Sequence, residues 1–347
     1  MKGIQVEKVG GTFDYVEDLV KPSPGKKQIL VKSIVTAINP VEPFMQGTGM
    51  LVLSWPIVLG CDASGVVVEI GEGVSKFKVG DKVFGCTRLG HAGYGTFQEF
   101  FIMDEDLTFK NSGFLNLQEA ATVGVGLLTA CLGLIHGMKT ELAPKQVTAS
   151  SEWVIIIGAA GAVGSFAVQI AHLCGYKVLA ACPPSAIKLV ESLGADATYS
   201  HRLPLEDQLK EIALITGGKF SRVFDASAFG AETGMAALAK HADPNAKPKY
   251  FSTTNDWVPI EPVEGIEIDL VALGAIGKSA DEHQREVTAA ITAFIPQLEK
   301  LLESGQVKPM EYEIVGDVGF KEVLKALDVY NNRKGSTKKV IVRVADE

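Results

Sequence analysis

The chain has 347 residues with 33 Lys and Arg against 41 Asp and Glu, a formal charge of −8, which argues against a nucleic-acid-binding protein, whose footprint is basic. At 47% hydrophobic and 21% charged residues it has apolar surface enough for folded cores, and its length suggests two domains of about 100–200 residues each. The N-terminal Met1–Lys8 alternates like a strand and lacks the apolar core of roughly 7–15 residues that a signal peptide needs. The most apolar window, Ala120–Ile135, is broken by glycines and threonines and falls short of the ~18–20 residues of a membrane span. The cysteines Cys61, Cys86, Cys131, Cys174 and Cys182 form no C-x-x-C pair, so neither a disulfide framework nor a structural zinc site is suggested. A cytoplasmic protein is expected, with no membrane or nucleic-acid partner.

Up to about Met103 the pattern is β-type: Gln28–Ile38, Ser64–Ile70, Lys82–Phe84 and Phe97–Ile102 are short alternating or apolar runs between glycine turns, as in a barrel-like β domain. From about Glu119, apolar helical stretches alternate with the compact strands Trp153–Ile157, Tyr176–Ala181, Arg222–Asp225 and Lys249–Ser252, the signature of a doubly wound parallel sheet. Beyond Gly274 come a charged, mobile segment (Lys278–Glu286), an amphipathic helix near Val287–Ser304, a second near Phe320–Tyr330 and a final strand, Lys338–Val344. That strand is expected to return to the first domain. The expected boundaries are 1–125 with 275–347 for the β domain and 126–274 for the α/β domain.

The most informative segment is Trp153-Val154-Ile155-Ile156-Ile157 followed by Gly158-Ala159-Ala160-Gly161-Ala162-Val163-Gly164 and then an apolar helical pattern. Strand, glycine turn and helix in succession let backbone N–H groups approach a pyrophosphate at a helix N-terminus, and the last glycine permits close packing. Gly158, Ala160, Gly161, Ala162, Val163 and Gly164 are therefore expected at a dinucleotide. An acid at the end of the next strand would accept the ribose 2′-OH of NADH and repel a 2′-phosphate. Here the strand ends Ala181-Cys182 and runs into Pro183-Pro184-Ser185-Ala186-Ile187-Lys188, offering a hydroxyl and a cation instead, with Tyr199 as a further contact. NADPH is the expected cofactor.

With Ala37-Ile38-Asn39-Pro40-Val41-Glu42, Leu59-Gly60-Cys61-Asp62-Ala63-Ser64-Gly65, Gly80-Asp81-Lys82-Val83, Gly95-Thr96-Phe97-Gln98-Glu99 and Leu127-Leu128-Thr129-Ala130, the whole chain resembles the medium-chain dehydrogenase/reductase superfamily. It is most similar to the zinc-independent, quinone-reductase-like branch and, within it, to fungal trans-acting enoyl reductases of polyketide pathways. The resemblance implies a GroES-like β-barrel-type catalytic domain joined to a Rossmann domain. It also implies that the positions matching the catalytic zinc ligands of alcohol dehydrogenases are Asn39, Cys61 and Val125, of which only Cys61 is a metal ligand, and one thiol does not hold a catalytic zinc. No metal is expected, His91 being a lone loop histidine.

Without a Lewis acid, reduction of an activated C=C is more natural than alcohol oxidation: hydride goes to the β-carbon of an α,β-unsaturated carbonyl or thioester and a proton to the α-carbon. The resemblance places Asn39 and Pro40 toward the nicotinamide, Thr129 beside the ribose or nicotinamide, Ser336 to Lys338 over the cofactor, and Gly274, Ala275, Ile276 and Gly277 at the substrate. Related reductases often carry a Lys or Tyr just after the Asn-Pro motif, where this chain has Phe44. The proton donor stays open between Glu42, Tyr94 and a bound water. Phe44, Met45, Trp55 and Phe251 are read as an apolar substrate wall. The expected substrate is small or carrier-bound, with a polyketide synthase in trans as partner. The alternatives are an NADPH quinone reductase and a non-catalytic NADPH-binding protein.

Overall fold

A computed structural model describes residues 1–142, 152–333, 335 and 337–347 and divides into two compact units, Met1–Val125 with Gly274–Glu347, and Gly126–Leu273. In chain order the first unit contributes β1 (Gly3–Val6), β2 (Phe13–Val16), β3 (Gln28–Ala37), α1 (Val41–Thr48), β4 (Ile57–Val58), β5 (Asp62–Ile70), β6 (Lys82–Cys86), β7 (Phe100–Asp104), β8 (Phe109–Lys110) and α2 (Leu117–Ala120). The helix α3 (Gly124–Cys131) leads into β9 (Trp153–Ile157), α4 (Ala162–Leu173), β10 (Lys177–Ala181), α5 (Ile187–Ser192), β11 (Ala197–Tyr199), α6 (Leu205–Thr216), β12 (Phe220–Asp225), α7 (Ala231–Lys240), β13 (Lys249–Thr253) and β14 (Ile266–Leu270). The chain then returns to the first unit through α8 (Glu282–Glu303), β15 (Tyr312–Ile314), α9 (Lys321–Asn332) and β16 (Lys339–Arg343).

The long strand β3 is the spine of the first unit. It pairs antiparallel with β5, β7 and β16, within the order β15-β16-β3-β5-β6-β8, while β2-β1-β4 form a smaller sheet. Alternation along β3 sends Ile29 and Val31 into a core with Val67, Phe101 and Met103, so pairing register and burial specify each other. The segment expected to be charged and mobile is ordered from Glu282 onward. Asp281 caps α8 by accepting the Gln284 N–H at 2.8 Å, and Val287, Ile291, Phe294, Ile295, Leu298 and Leu302 bury one face of it. A capped start and a full apolar stripe thus begin the helix at Glu282 rather than Val287, about one and a half turns earlier than hydrophobicity alone indicates.

The second unit is a six-stranded sheet in the order β11-β10-β9-β12-β13-β14, every pairing parallel. This doubly wound order reverses between β9 and β12, and the crevice beyond the strand ends at such a point is where ligands bind. Val154 to Ile157 are all buried, which explains why β9 reads as an unbroken apolar run. Phe251, expected at the substrate, lies instead in this unit's core with Val223, Met235 and Leu238, and is 0% exposed. A Cβ on Gly234 would overlap its ring. Tyr199, expected at the cofactor, belongs to the same core, and its buried hydroxyl has no hydrogen-bond partner among the described residues. No helix among the described residues is long and apolar enough to cross a membrane. The placement of Phe251 carries a measurable consequence: Phe251→Ala is expected to cost about 3–5 kcal/mol of stability in urea unfolding, and a loss below ~1 kcal/mol is incompatible with a core ring.

Candidate functional site

At the end of β9 the chain turns through Gly158, whose φ of +77° is open to glycine, and enters α4 with Gly161 at its N-cap. A Cβ on Gly164 would overlap the Gly158 carbonyl oxygen and press on Ala159, so only glycine lets the first turn of α4 lie against the loop. The Ser165 hydroxyl donates to Gly161 O at 2.5 Å, tightening that turn. The N–H groups at the start of a helix are unpaired within it and carry partial positive charge. The turn therefore fits a pyrophosphate, and these residues would hold a dinucleotide there. Ala160 is buried, Gly161 exposed, and Ala162 and Val163 half-buried. Ser185 and Lys188, beyond β10, are both exposed, available to a phosphate. The loop after β12 flanks the turn from the other side, with Ser227 packed against Gly158. Thr129 on α3 is 6% exposed.

The first unit holds a buried polar network that the sequence did not announce. Asp62, at the start of β5, is 0% exposed. Its Oδ1 accepts the Val125 N–H at 2.7 Å, and its Oδ2 accepts Asn39 Nδ2 and Lys339 Nζ, each at 3.1 Å. Lys339 also donates to Asn39 Oδ1 and is 3% exposed. Glu42, 0% exposed, accepts the Asn39 N–H at 2.6 Å on Oε2, and Asn39 Nδ2 at 3.3 Å and the Cys61 N–H at 3.1 Å on Oε1. Thus Asn39, Cys61 and Val125, which the resemblance leads one to expect at the zinc-ligand positions, are each tied by a hydrogen bond to Glu42 or Asp62. Among the described residues no group of three His, Cys, Asp or Glu side chains is arranged to hold a metal.

This geometry changes the roles expected of several residues. The Asn39 carboxamide spends its oxygen and both of its N–H groups inside the network and is 1% exposed; Pro40 beside it is exposed. Glu42 is enclosed rather than presented as a proton donor. Burial pushes its carboxyl up to about 7, against the opposing pull of Lys339. Tyr94, the other expected donor, is buried. Its hydroxyl donates to Asp104 Oδ1 at 3.1 Å and accepts from Gln28 Nε2 at 2.6 Å, and burial, then the Asp104 charge, hold its pKa far above the ordinary tyrosine range. Met45 and Ile276 are buried at 1% and 0%, as is Ala275. Phe44, Trp55, Gly274 and Gly277 keep partial exposure. Lys338 is exposed, and Ser336 lies outside the described residues. The residue that the late loop contributes is the next one, Lys339. A lysine opening an apolar strand, Lys339-Val340-Ile341-Val342, was the available signal.

The alcohol dehydrogenase GroES-like domain family matches residues 25–113. Among curated relatives, the trans-enoyl reductase TOXD of Cochliobolus carbonum is 35% identical over 216 residues, 60% of this chain and 70% of the relative. Dehydrogenase orf1 of Aspergillus niger is 33% identical over 205 residues, 56% of this chain, and the match spans only 59% of that relative's length. The chloroplast envelope quinone oxidoreductase homolog of Arabidopsis thaliana is 34% identical over 218 residues, 60% of this chain and 64% of the relative. The fold is shared with the crystal structure of an alcohol dehydrogenase superfamily protein from Novosphingobium aromaticivorans, at a TM-score of 0.79 and 23% identity, covering 99% of this chain and 100% of that one.

The enclosed Glu42 carboxyl gives the fold a pH dependence of definite sign. Its pKa is about 7 folded against 4.5 unfolded, so between those values the folded state binds the extra proton and stability falls as pH rises, by roughly 3 kcal/mol over the window. Urea midpoints taken across pH 4.5–7 are expected to show this fall superimposed on other titrations, and Glu42→Gln is expected to remove it. An unchanged profile in the variant contradicts the assignment.

Proposed function

The chain belongs to the medium-chain dehydrogenase/reductase superfamily, and from that premise we propose that it is an NADPH-dependent reductase of an activated carbon–carbon double bond. Its acceptor in this reading is an α,β-unsaturated carbonyl or thioester, small or carrier-bound, with a polyketide synthase as partner in trans and the cytoplasm as its compartment. The observation that carries the reading is the donor set in the first unit. Where zinc-dependent members supply metal ligands, Asn39 and Val125 offer no ligating side chain suited to zinc and are hydrogen bonded to Asp62. The chemistry left to these residues is one in which the acceptor is already electrophilic and needs no Lewis acid.

When bound, NADPH supplies the hydride, and the chain's own work is to hold and orient it. The α4 N-terminus, opened by Gly158, Gly161 and Gly164, binds the pyrophosphate through backbone N–H groups. Ser185 and Lys188 take the 2′-phosphate in charge-assisted hydrogen bonds, with no acid at the end of β10 to repel it. With Glu42 and Tyr94 enclosed, water delivers the proton to the α-carbon, and half-exposed Phe44 and Trp55 offer the acceptor an apolar surface.

The experiment is NADPH oxidation by the purified protein, followed by loss of its near-ultraviolet absorbance, with a trans-2-enoyl thioester, a simple enone and a quinone as acceptors and NADH as control. Turnover on the thioester or enone with NADPH preferred is the expected result; turnover confined to the quinone favours the quinone reductase alternative suggested by the name of the Arabidopsis relative, and tight NADPH binding with no acceptor reduced favours a binding protein. Lys188→Ala is expected to raise the KM for NADPH about tenfold while leaving that for NADH within about twofold. Equal effects on both cofactors would remove Lys188 from the 2′-phosphate.

A further inference from the structure

Three segments of the first unit pack together around Arg88. The Leu53 N–H donates to Gly90 O at 3.1 Å, a Cβ on Gly274 would sit 2.7 Å from Leu51 Cδ2, and one on Gly277 would sit 2.5 Å from Arg88 Nε. Gly277 adopts φ +69°, so its missing side chain lets the turn into Lys278 lie directly on the guanidinium. Three cationic or potentially cationic groups meet there: Arg88, His91 and Lys278. One carboxylate answers them. Asp104 takes Arg88 Nε at 2.6 Å and Nη2 at 2.7 Å in a two-pronged pair, and it also accepts from Tyr94 and Gln28. Tyr94 lies beneath the guanidinium at 5.0 Å and takes the His91 ring edge-on at 6.0 Å.

That arrangement fixes Arg88 but leaves charge uncompensated. Arg88 Nη1 and the half-buried Lys278 ammonium have no partner among the described residues, and the buried His91 Nε2 has none either. Burial and the Arg88 charge lower the Lys278 pKa, and burial, Lys278 and Arg88 lower that of His91. Like charges gathered out of full solvation raise the free energy of the empty protein, and an anion arriving among them relieves it through charge-assisted hydrogen bonds.

We propose that Arg88 and Lys278, backed by His91, form a recognition site for an anionic group, carboxylate or phosphate, carried on the acceptor at a point removed from its double bond. The inference rests on the reading of the chain as a reductase of such acceptors and narrows their class to those bearing a negative charge. Arg88 Nη1 and Lys278 Nζ contact the anion. Asp104 and Tyr94 hold the guanidinium in place, and Gly277 sets the distance between the two cations.

The test compares one trans-2-enoyl group on three thiols: N-acetylcysteamine, which is neutral, 3-mercaptopropionate, which carries a carboxylate, and phosphopantetheine, which carries a phosphate. Wild-type protein is expected to show kcat/KM about tenfold higher on at least one charged thioester than on the neutral one. Lys278→Gln should collapse that ratio toward one, and Lys278→Arg should restore most of it. The thioester that is preferred identifies the source of the charge. A wild-type ratio near one, or a ratio that survives Lys278→Gln, overturns the inference. In parallel, the thermal midpoint is measured in inorganic phosphate and in chloride at equal ionic strength. If wild-type protein reduces none of the three thioesters, the reductase reading fails, and this second measurement decides the site alone: stabilisation by phosphate in wild type but not in Lys278→Gln keeps it, and equal midpoints remove it.

Discussion

An ammonium group shut away from water is tolerated only where charge and hydrogen-bond acceptors meet it, and Lys339, 3% exposed, sits where the first unit depends on that condition. Its partners, Asp62 and Asn39, are some 300 residues away in sequence for Asn39 and only slightly fewer for Asp62. One interaction therefore joins the last strand to the start of β5 and to the turn into α1. Asp62 extends the link to Val125 at the start of α3. Removing either charged partner would strand the other in the interior, a loss of about 3–5 kcal/mol, whereas each alone contributes far less than its Coulomb energy suggests because desolvation offsets it. The second carboxyl, Glu42, follows from the same condition. With the single Lys339 charge already shared with Asp62, a further carboxylate has no full counter-charge, and burial raises its pKa accordingly.

A divalent metal and an ammonium satisfy such a hub in different ways. A metal binds lone pairs and keeps a coordination position open for a reacting oxygen. The Lys339 ammonium meets Asp62 and Asn39 from within, and the backbone N–H groups of Asn39, Cys61 and Val125 fill acceptor capacity that ligands would otherwise direct outward. In the first unit Glu42 and Asp62 thus hold backbone in place at Asn39, Cys61 and Val125. This is why the two carboxylates nearest to them are poor candidates for proton transfer even though carboxylates are common general acids.

What the sequence displayed well was whatever the backbone itself performs. The apolar run Val154–Ile157, the glycines at 158, 161 and 164 and the absence of an acid after Ala181 describe a strand, a turn and a strand end, and local rules govern all three. It displayed poorly whatever depends on which side chain a distant strand brings in. Phe251 and Tyr199 are aromatic residues near strand ends, equally compatible with a pocket or with a core, and only the packing of α7 and β11 puts them inside. Lys339 differs from Lys338 by one position, yet in a strand one position reverses the face, sending one lysine to solvent and the other into the Asp62 network. The first turns of α8 read as a loose charged stretch because their charges hide a capped helix whose stripe begins at Val287.

Two of the first unit's ionic clusters, those around Lys339 and Arg88, differ in a way that separates architecture from recognition. Around Lys339 the polar atoms are matched: one cation, one well-paired carboxylate, a carboxyl near its midpoint at neutrality and a carboxamide with every group engaged. Around Arg88 they are not matched, since Asp104 serves the guanidinium while no described residue answers Lys278, in a chain whose formal charge is −8. Acidic residues are plentiful in this sequence, so a lysine left half-buried beside an arginine does not reflect a shortage of counter-charges. Folding stability is better served by closing such a cluster, as the Asp62 network is closed. An open one costs stability in the empty protein, and that cost is recovered only when a group from outside brings the missing charge.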